Sequence, residues 1–481
     1  MTTLKELKIK HYRGFFDEQS ITFAAPNKEN DRCGLTIIMG PNNMGKTSII
    51  EALLLKDDGN KKFTEAERHP DQSPIISIET SDGNTCTYTN INSGSQIKKE
   101  GNHNIKFEVI QSRRHWQYYS ANVINPENFA EQSSQASVRN SGGIDTVANL
   151  KDIHKDQVRK SKLDNLMKEL IPHFSDWTID TNEQGDYVKY IAAESKHQAS
   201  FLGDGIISLF RICAHLINET GNRVLIIDEP ELSLHPSAQK NLSRLLSKAS
   251  FSKQIVLCTH SPYFVNWEDF LKGAKFVRLN KPNDKKCEVS ILCNAKKYGE
   301  YIGDNLLEWQ KPQMLDTVSK EILFAEKILF VEGQEDVGLI KKWLTENNKT
   351  QNFDIYGYGV AGYSNMRVFL EMAKDLGIHK VAALYDSGVD ADKYFENDKE
   401  IFTAKDNDLF LDYFFSKLPT EDIRDKVGKL CEECKKILCK KCNKTIKADK
   451  EGIFNESGAL NDKYKNEFEQ IMNNILSYFN D

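Results

Sequence analysis

Short, unbroken apolar runs punctuate the chain. Leu35-Thr36-Ile37-Ile38-Met39, Val224-Leu225-Ile226-Ile227 and Gln254-Ile255-Val256-Leu257-Cys258 have the length of strands. They lack polar alternation, which marks strands covered on both faces, as in a parallel sheet. The run Ile105–Ile110 predicts another strand. Helices are predicted over Ser48–Leu55, after the first run, and within Ser200–Ile212, where a small-residue turn opens an apolar stretch. Between 120 and 195 there is no long heptad array. A Ser/Gln/Gly-rich linker runs from Glu131 to Gly143, and one amphipathic helix follows near Asp156–Leu170. Its Leu163, Leu166, Met167 and Leu170 have the spacing of core packing. The texture changes after Asn280-Lys281-Pro282-Asn283-Asp284-Lys285-Lys286, and a helix over Met314–Phe324 leads into a second unit. There, strands Lys327–Val331, Asp354–Tyr358 and Lys380–Tyr385 alternate with helices, one of them Ser364–Leu376. Such alternation predicts a small parallel sheet. The expected division is residues 1–315 and 316–481.

A chain of 481 residues exceeds one compact core, so more than one domain is expected in any case. Charged residues make up 28% and hydrophobic residues 39%, the balance of a soluble protein. No run of apolar residues is long enough to span a bilayer, and Met1–Leu7 lacks the apolar core of a secretory signal. Both point to the cytoplasm. The net charge of −6 excludes a protein that is basic all over, but a nucleic-acid interface needs only a local basic stripe. Cys33, Cys86, Cys213, Cys258, Cys287 and Cys293 are scattered and read as reduced, core-forming thiols.

Gly40-Pro41-Asn42-Asn43-Met44-Gly45-Lys46-Thr47 fits G-x-x-x-x-G-K-[ST] and sits between a predicted strand and a predicted helix. That is the context a phosphate-binding loop requires. Backbone N–H groups around Gly40, Asn42, Asn43 and Gly45, with Ser48 behind them, would cradle phosphates at a helix N-terminus. Lys46 would reach the β- and γ-phosphates of ATP, and the Thr47 hydroxyl would hold Mg2+. The second buried run ends in Asp228-Glu229-Pro230. Asp228 is placed to fix Mg2+ through water, and Glu229 to polarise the attacking water. The third ends in Thr259-His260-Ser261-Pro262, which puts His260 at the sheet edge where ligands bind. Gln111, at the end of the Ile105–Ile110 run, is a candidate sensor of Mg2+ and the γ-phosphate. Arg113 and Arg114 read equally well as phosphate contacts or as a solvated turn.

These motifs, in this order, resemble the ATP-binding-cassette ATPases of the SMC, RecF and RecN type, over residues 1 to about 320. The Asp-Glu-Pro-Glu-x-x-x-His-Pro run at 228–236 is similar to the DNA-repair and phage-defence branch. The resemblance implies that Ser200–Gly205, through Gly203 and Gly205, contacts ATP bound to another protomer, and hence at least a dimer. Leu202-Gly203-Asp204-Gly205 stands where transporters have Leu-Ser-Gly-Gly, a variant that resembles the OLD (overcoming lysogenisation defect) branch. Without coiled-coil arms the chain does not look like an SMC-type tether.

In the second unit, acids end two predicted parallel strands: Glu332 after Lys327–Val331, and Asp386 after Lys380–Tyr385. Carboxylates converging there suit Mg2+ or Mn2+, hard cations that prefer oxygen ligands. A strand-end Glu-Gly with a later strand-end Asp looks like a Toprim domain. Glu332 matches its glutamate, Asp336 the extra acid of OLD nucleases, and Asp386 the first acid of Asp-x-Asp. Gly388 departs from that pattern, with Asp390 and Asp392 nearby as replacements. After a further strand, Asp406, Asp408 and Asp412 are additional candidates, Asp408 and Asp412 sharing a helix face. Cys431-x-x-Cys434 and Cys439-x-x-Cys442 have the spacing of a tetrahedral Zn2+ site, in an insert near 426–450. Lysines crowd 426–447 against Glu432 and Glu433, either to touch a nucleic-acid backbone or to balance a zinc–thiolate centre.

The expected fold class is α/β: an ABC-type P-loop ATPase domain, then a Toprim-like parallel α/β domain whose insert holds zinc through its cysteines. The arrangement resembles the OLD-family nucleases. It implies an ATP-gated, metal-dependent DNA endonuclease or nickase of bacterial anti-phage defence, acting as a homo-oligomer. The alternative is an ATP-hydrolysing sensor or scaffold that gates a separate effector. Partners implied by the resemblance are DNA and either a helicase or a retron reverse transcriptase with its DNA–RNA product.

Overall fold

The computed structural model describes residues 1–41, 43–55, 63–64, 67, 69, 72–90, 96–110, 146–182, 185–192, 195–198, 204–218, 221–281, 286–292, 320–357, 363–386, 389–402, 414–418 and 462–480. It divides into two compact units, Met1–Glu300 and Tyr301–Asp481.

The first unit opens with β1 (Leu4–Lys10), β2 (Gln19–Thr22), β3 (Leu35–Met39) and α1 (Lys46–Leu53). Next come β4 (Ile75–Thr80), β5 (Thr85–Asn90), β6 (Ile97–Gly101), β7 (Lys106–Ile110), α2 (Thr146–Lys155) and α3 (Gln157–Leu170). A meander of β8 (Phe174–Asn182), β9 (Gly185–Ala192) and β10 (Ser195–Gln198) precedes α4 (Asp204–Leu216) and β11 (Arg223–Asp228). The unit continues with α5 (Pro236–Ser250), β12 (Gln254–Thr259), α6 (Trp267–Leu271), β13 (Lys275–Asn280) and β14 (Glu288–Leu292).

The central sheet has the order β14-β13-β3-β12-β11-β7. It is parallel except for β14. Every residue of β3 and of β12 is buried, which is why these strands read as unbroken apolar runs. A second, antiparallel sheet runs β2-β1-β4-β5-β6. Leu7 and Ile9 of β1, Ile76 and Ile78 of β4, Ile49 and Leu53 of α1, and Ile226 and Val256 of the central sheet share one core. On α3, Asp156 caps the N-terminus by accepting from Val158 N–H and Arg159 N–H. Leu163, Met167 and Leu170 are buried there, while Leu166 is only partly covered. Cys33, Cys86, Cys213, Cys258 and Cys287 are free thiols inside the unit.

The second unit contains β15 (Lys327–Val331), α7 (Gln334–Glu346), β16 (Asp354–Tyr356), α8 (Tyr363–Asp375), β17 (Lys380–Asp386), α9 (Val389–Phe402), β18 (Phe414–Leu418) and α10 (Asp462–Asn480). Its sheet, β16-β15-β17-β18, is parallel throughout. Val331, Leu384, Trp343 and Met472 lie in its core.

Two expectations need correction. Between Asp386 and Asp406 the described element is α9, and the strand comes later, at β18. Phe395 and Asp398 are buried three positions apart on α9, a helical spacing that a strand would split between its faces. The helix after the phosphate loop begins at Lys46, directly after Gly45, and so includes the loop's own Lys and Thr. The helix predicted over Met314–Phe324 is described only in its last part, where Glu321–Leu323 form a 3-10 turn. Among the described residues no helix is long and apolar enough to cross a membrane.

Candidate functional site

Three adjacent parallel strands of the first unit deliver the motif residues to one sheet edge. In register, Ile38 of β3 lies beside Cys258 of β12, and Cys258 beside Asp228 of β11. The loop after β3, His260 after β12 and Glu229 after β11 therefore emerge side by side. Gly45 adopts φ 97°, a left-handed conformation that glycine reaches without steric cost, and it turns the loop directly into α1. Lys46 is 7% exposed. Its ammonium donates to the Gly40 and Pro41 carbonyls at 2.7 and 2.8 Å. Burial lowers the Lys46 pKa, while the charges of Cys258, Glu229, Asp228 and Glu231 push it back up. One lysine and a group of acids thus share a field, the composition needed to hold a nucleotide phosphate and its cation.

His260 Nε2 lies 4.0 Å from Glu229 Oε1. Burial, and then the Lys46 charge, lower the His260 pKa, and Glu229 opposes the shift. The imidazole is thereby biased to its neutral form. Glu229 sits at φ 47°, an uncommon conformation for a residue with a side chain. Its N–H donates to the Cys258 carbonyl at 2.8 Å, so the ladder extends one residue past β11 before the chain turns. Asp228 and Thr47 are both half-buried at this edge and have the oxygen donors that Mg2+ requires. Asn43 is exposed on the loop, and Ser48 is buried in the first turn of α1. Asn42, Gln111, Arg113, Arg114, Ser200 and Gly203 lie outside the described residues.

Gly205 is described, and its surroundings give the glycine a second role. A Cβ there would meet the Ser233 carbonyl oxygen at 2.3 Å. The first turn of α4 is thus packed on the turn after Glu229 within the same chain.

Glu231 joins the site without having stood out in the motifs. Its carboxylate accepts from Thr259 Oγ1 at 2.8 Å and from His260 N–H at 2.7 Å. Burial raises its pKa, against those hydrogen bonds. Glu231 thus pins the tip of β12 to the turn after β11 and fixes where His260 stands. Gln239 of α5 adds a second pin, accepting from Ser261 Oγ at 2.7 Å and donating to the Leu234 carbonyl at 2.9 Å. The sequence held one signal for Glu231, an acid inside the run at 228–236, but its partners come from another strand.

In the second unit, β15 and β17 are neighbours with Val331 beside Leu384. Glu332 follows at the carboxyl edge, level with Tyr385, one residue before Asp386. Glu332 is 1% exposed and Asp336 7%. Asp336 accepts from Gly333 N–H at 2.9 Å, which caps α7. The hydroxyl of buried Tyr385 donates to Asp398 at 2.6 Å. Burial, then Asp398 and Glu332, raise the Tyr385 pKa, which keeps the phenol protonated. The side chains of Asp386 and Asp390 lie outside the described residues, as do Gly388, Asp406, Asp408, Asp412, Cys431, Cys434, Cys439 and Cys442. Asp392 begins the exposed face of α9. Among the described residues no three His, Cys, Asp or Glu side chains gather as a metal cage. The donors that are described, buried oxygen ligands at a strand end, suit a hard divalent cation.

Residues 95–266 match the AAA domain family, whose description also carries the words "AbiEii toxin, Type IV TA system". Residues 323–387, the span holding Glu332, Asp336 and Asp386, match the family described as "Overcoming lysogenization defect protein-like, TOPRIM domain". The OLD-like description thus applies to the Toprim span alone. The chain joins an AAA-type ATPase domain to an OLD-like Toprim domain. An OLD nuclease of Thermus scotoductus is 33% identical over 134 residues, 27% of this chain and 24% of that protein. Endonuclease GajA of Bacillus cereus is 29% identical over 123 residues, 26% of this chain and 19% of that protein. The chain thus spans about a quarter or less of either relative's length. The Smc head domain of Pyrococcus furiosus, solved bound to the C-terminal domain of ScpA, is 12% identical, with 62% of this chain and 98% of that one covered at a TM-score of 0.41. So loose a likeness adds nothing to the domain match.

Proposed function

We propose that this chain is an OLD-type, ATP-gated, metal-dependent DNA endonuclease or nickase of bacterial anti-phage defence. The observation that carries the reading is the buried Glu332 at the end of β15, beside the strand that ends in Asp386, within the Toprim match. Glu332, Asp336 and Asp386 would hold Mg2+ or Mn2+, with Asp390 or Asp392 in place of the acid missing at Gly388 and Asp408 as a further ligand. The bound metal would lower the pKa of a water and stabilise charge on the phosphodiester.

In the ATPase half, with the domain boundary at 315/316, Lys46 and the loop backbone hold the phosphates. Thr47 and Asp228 hold Mg2+, Glu229 polarises the water, and His260 and Gln111 face the γ-phosphate. Gly203 and Gly205 close on the ATP of a second protomer, so ATP binding assembles the dimer and gates the Toprim sites. Cys431, Cys434, Cys439 and Cys442 form a structural zinc centre. The protein works in the cytoplasm on DNA, with a helicase or a retron reverse transcriptase and its DNA–RNA product as a partner.

A scaffold reading has one specific observation in its favour: Gly388 occupies an expected ligand position while Asp336 is engaged as a helix cap. Incubating the purified chain with plasmid DNA and Mg2+ or Mn2+, with and without ATP, separates the two. Nicked or linear product that depends on metal and changes with ATP is expected. Intact plasmid in every condition, from a chain that is oligomeric, hydrolyses ATP and has its trigger present, would leave the scaffold reading standing.

A further inference from the structure

At the amino edge of the central sheet, opposite the phosphate loop, one buried carboxylate holds two bases. Glu108 of β7 is 4% exposed. Its Oε2 lies 3.1 Å from His215 Nδ1, and its Oε1 accepts from Arg223 Nη1. Lys253, just before β12, donates to the carbonyl of Asn218, just after α4. Lys106 N–H, at the start of β7, donates to the Asn222 carbonyl at 2.8 Å. Glu108, His215, Asn218, Arg223 and Lys253 together line one small cleft.

Each element tied here carries a nucleotide-site residue at its other end. β7 leads into Gln111, and α4 begins at the turn that packs on Ser233. β11 ends in Asp228 and Glu229, and β12 in Thr259 and His260. From Arg223 to Asp228 is about 17 Å at roughly 3.3 Å per strand residue. From His215 back to Asp204 is about 16 Å at roughly 1.5 Å per helical residue. The cluster is therefore too far away to touch a nucleotide. What it can set is the relative register of the elements that do. We infer that Glu108 is a positioning residue for ATP hydrolysis, a latch that fixes α4 against β7 and β11 so that the turn starting α4 and the Asp228-Glu229 tip stay aligned.

A purely stabilising role is the rival account. Buried ion pairs are weak contributors to stability, because desolvation offsets much of their attraction. What survives that offset is orientation: a carboxylate gripping a planar guanidinium on one side and an imidazole on the other admits few arrangements.

The inference rests on the ATPase reading, and its test is arranged so that the two can fail separately. Glu108→Gln keeps shape and removes charge. Glu108→Gln with Arg223→Gln also removes the cation that the single variant leaves without its partner. Hydrogen exchange is followed in full-length protein for peptides spanning 204–212 and 228–235, with Tm and steady-state ATPase measured alongside. In Glu108→Gln, exchange in both peptides should rise about tenfold with the β2-β1-β4-β5-β6 sheet unchanged, and kcat should fall about tenfold with KM within about twofold. In the double variant Tm should recover while kcat stays low. Unchanged exchange at those two peptides, or joint recovery of Tm and kcat in the double variant, overturns the latch. If the parent chain hydrolyses no ATP, the ATPase reading fails, and the exchange result alone decides the latch. If Glu108→Gln does not fold, Arg223→Lys, which keeps the charge and loses the planar fork, is measured in its place.

Discussion

The two units bury carboxylates in opposite ways. In the first, Glu108 is surrounded by bases. Burial works against its ionisation, but the hydrogen bonds and charges of His215 and Arg223 win and draw its pKa down to about 2. In the second, Asp398 is 0% exposed and meets a phenol, and burial pushes its pKa up to about 6. The contrast extends to the functional edges. The ATPase edge brings a buried lysine among its acids, so it presents fixed positive charge to an anionic phosphate. The Toprim unit instead buries Glu332 and Asp336 just past the end of β15, an acidic edge whose proposed occupant is a cation. On the proposed reading the units are matched to opposite charges, nucleotide in one and metal in the other.

The largest way to break the ATPase side is Lys46→Ala. Removing the cation that faces the phosphates should weaken ATP binding by about 100-fold or more and abolish hydrolysis, read by nucleotide-binding fluorescence and phosphate release. Retained affinity would mean that Lys46 does no more than bond the Gly40 and Pro41 carbonyls. Glu229→Gln should be almost as damaging to turnover, by about 100-fold or more in kcat, yet ATP should stay bound. Normal turnover in that variant removes Glu229 from the water-polarising role. A smaller effect, about tenfold in kcat with a lower Tm, is expected for Glu231→Gln, which weakens the pin on Thr259 and His260. Equal kcat at equal Tm would make the pin incidental.

The finest test is the pH dependence of each unit. Glu108 titrates below its ordinary value of 4.5. Its contribution to stability is fully present above that pH and is lost as pH falls toward about 2. Asp398 titrates above its ordinary value of 3.8. Its contribution is present below that pH and is lost as pH rises through about 6. Acidification from neutral should therefore first firm the second unit and only later loosen the first. Hydrogen exchange resolved by unit reads this directly, with Asp398→Asn and Glu108→Gln each flattening its own half. The same sign of response in both units would contradict the contrast.

Much of this is legible in the chain because buried parallel strands write themselves as apolar runs and the phosphate loop has fixed spacing. Leu35–Met39, Gln254–Thr259 and Lys327–Val331 can be read directly, and so can the acids at strand ends. Partners brought together by topology leave no local mark. Glu108 and Arg223 are far apart in sequence, and nothing near either one names the other. Asp336 can be read as a ligand or as a cap, since both roles favour an acid in the first turn of a helix. The strand expected before Asp406 is not found there, because Val389–Phe402 form α9.

The measurement closest to the central claim compares the parent chain with Glu332→Ala and Asp386→Ala, reading plasmid cleavage and ATP hydrolysis in the same samples. With Mg2+ or Mn2+ present, both variants should lose cleavage by about 100-fold or more while ATP hydrolysis stays within about twofold of the parent, since the nucleotide residues belong to the other unit. Cleavage by Glu332→Ala at the parent's rate would contradict the assignment of the metal site to the Toprim strand ends.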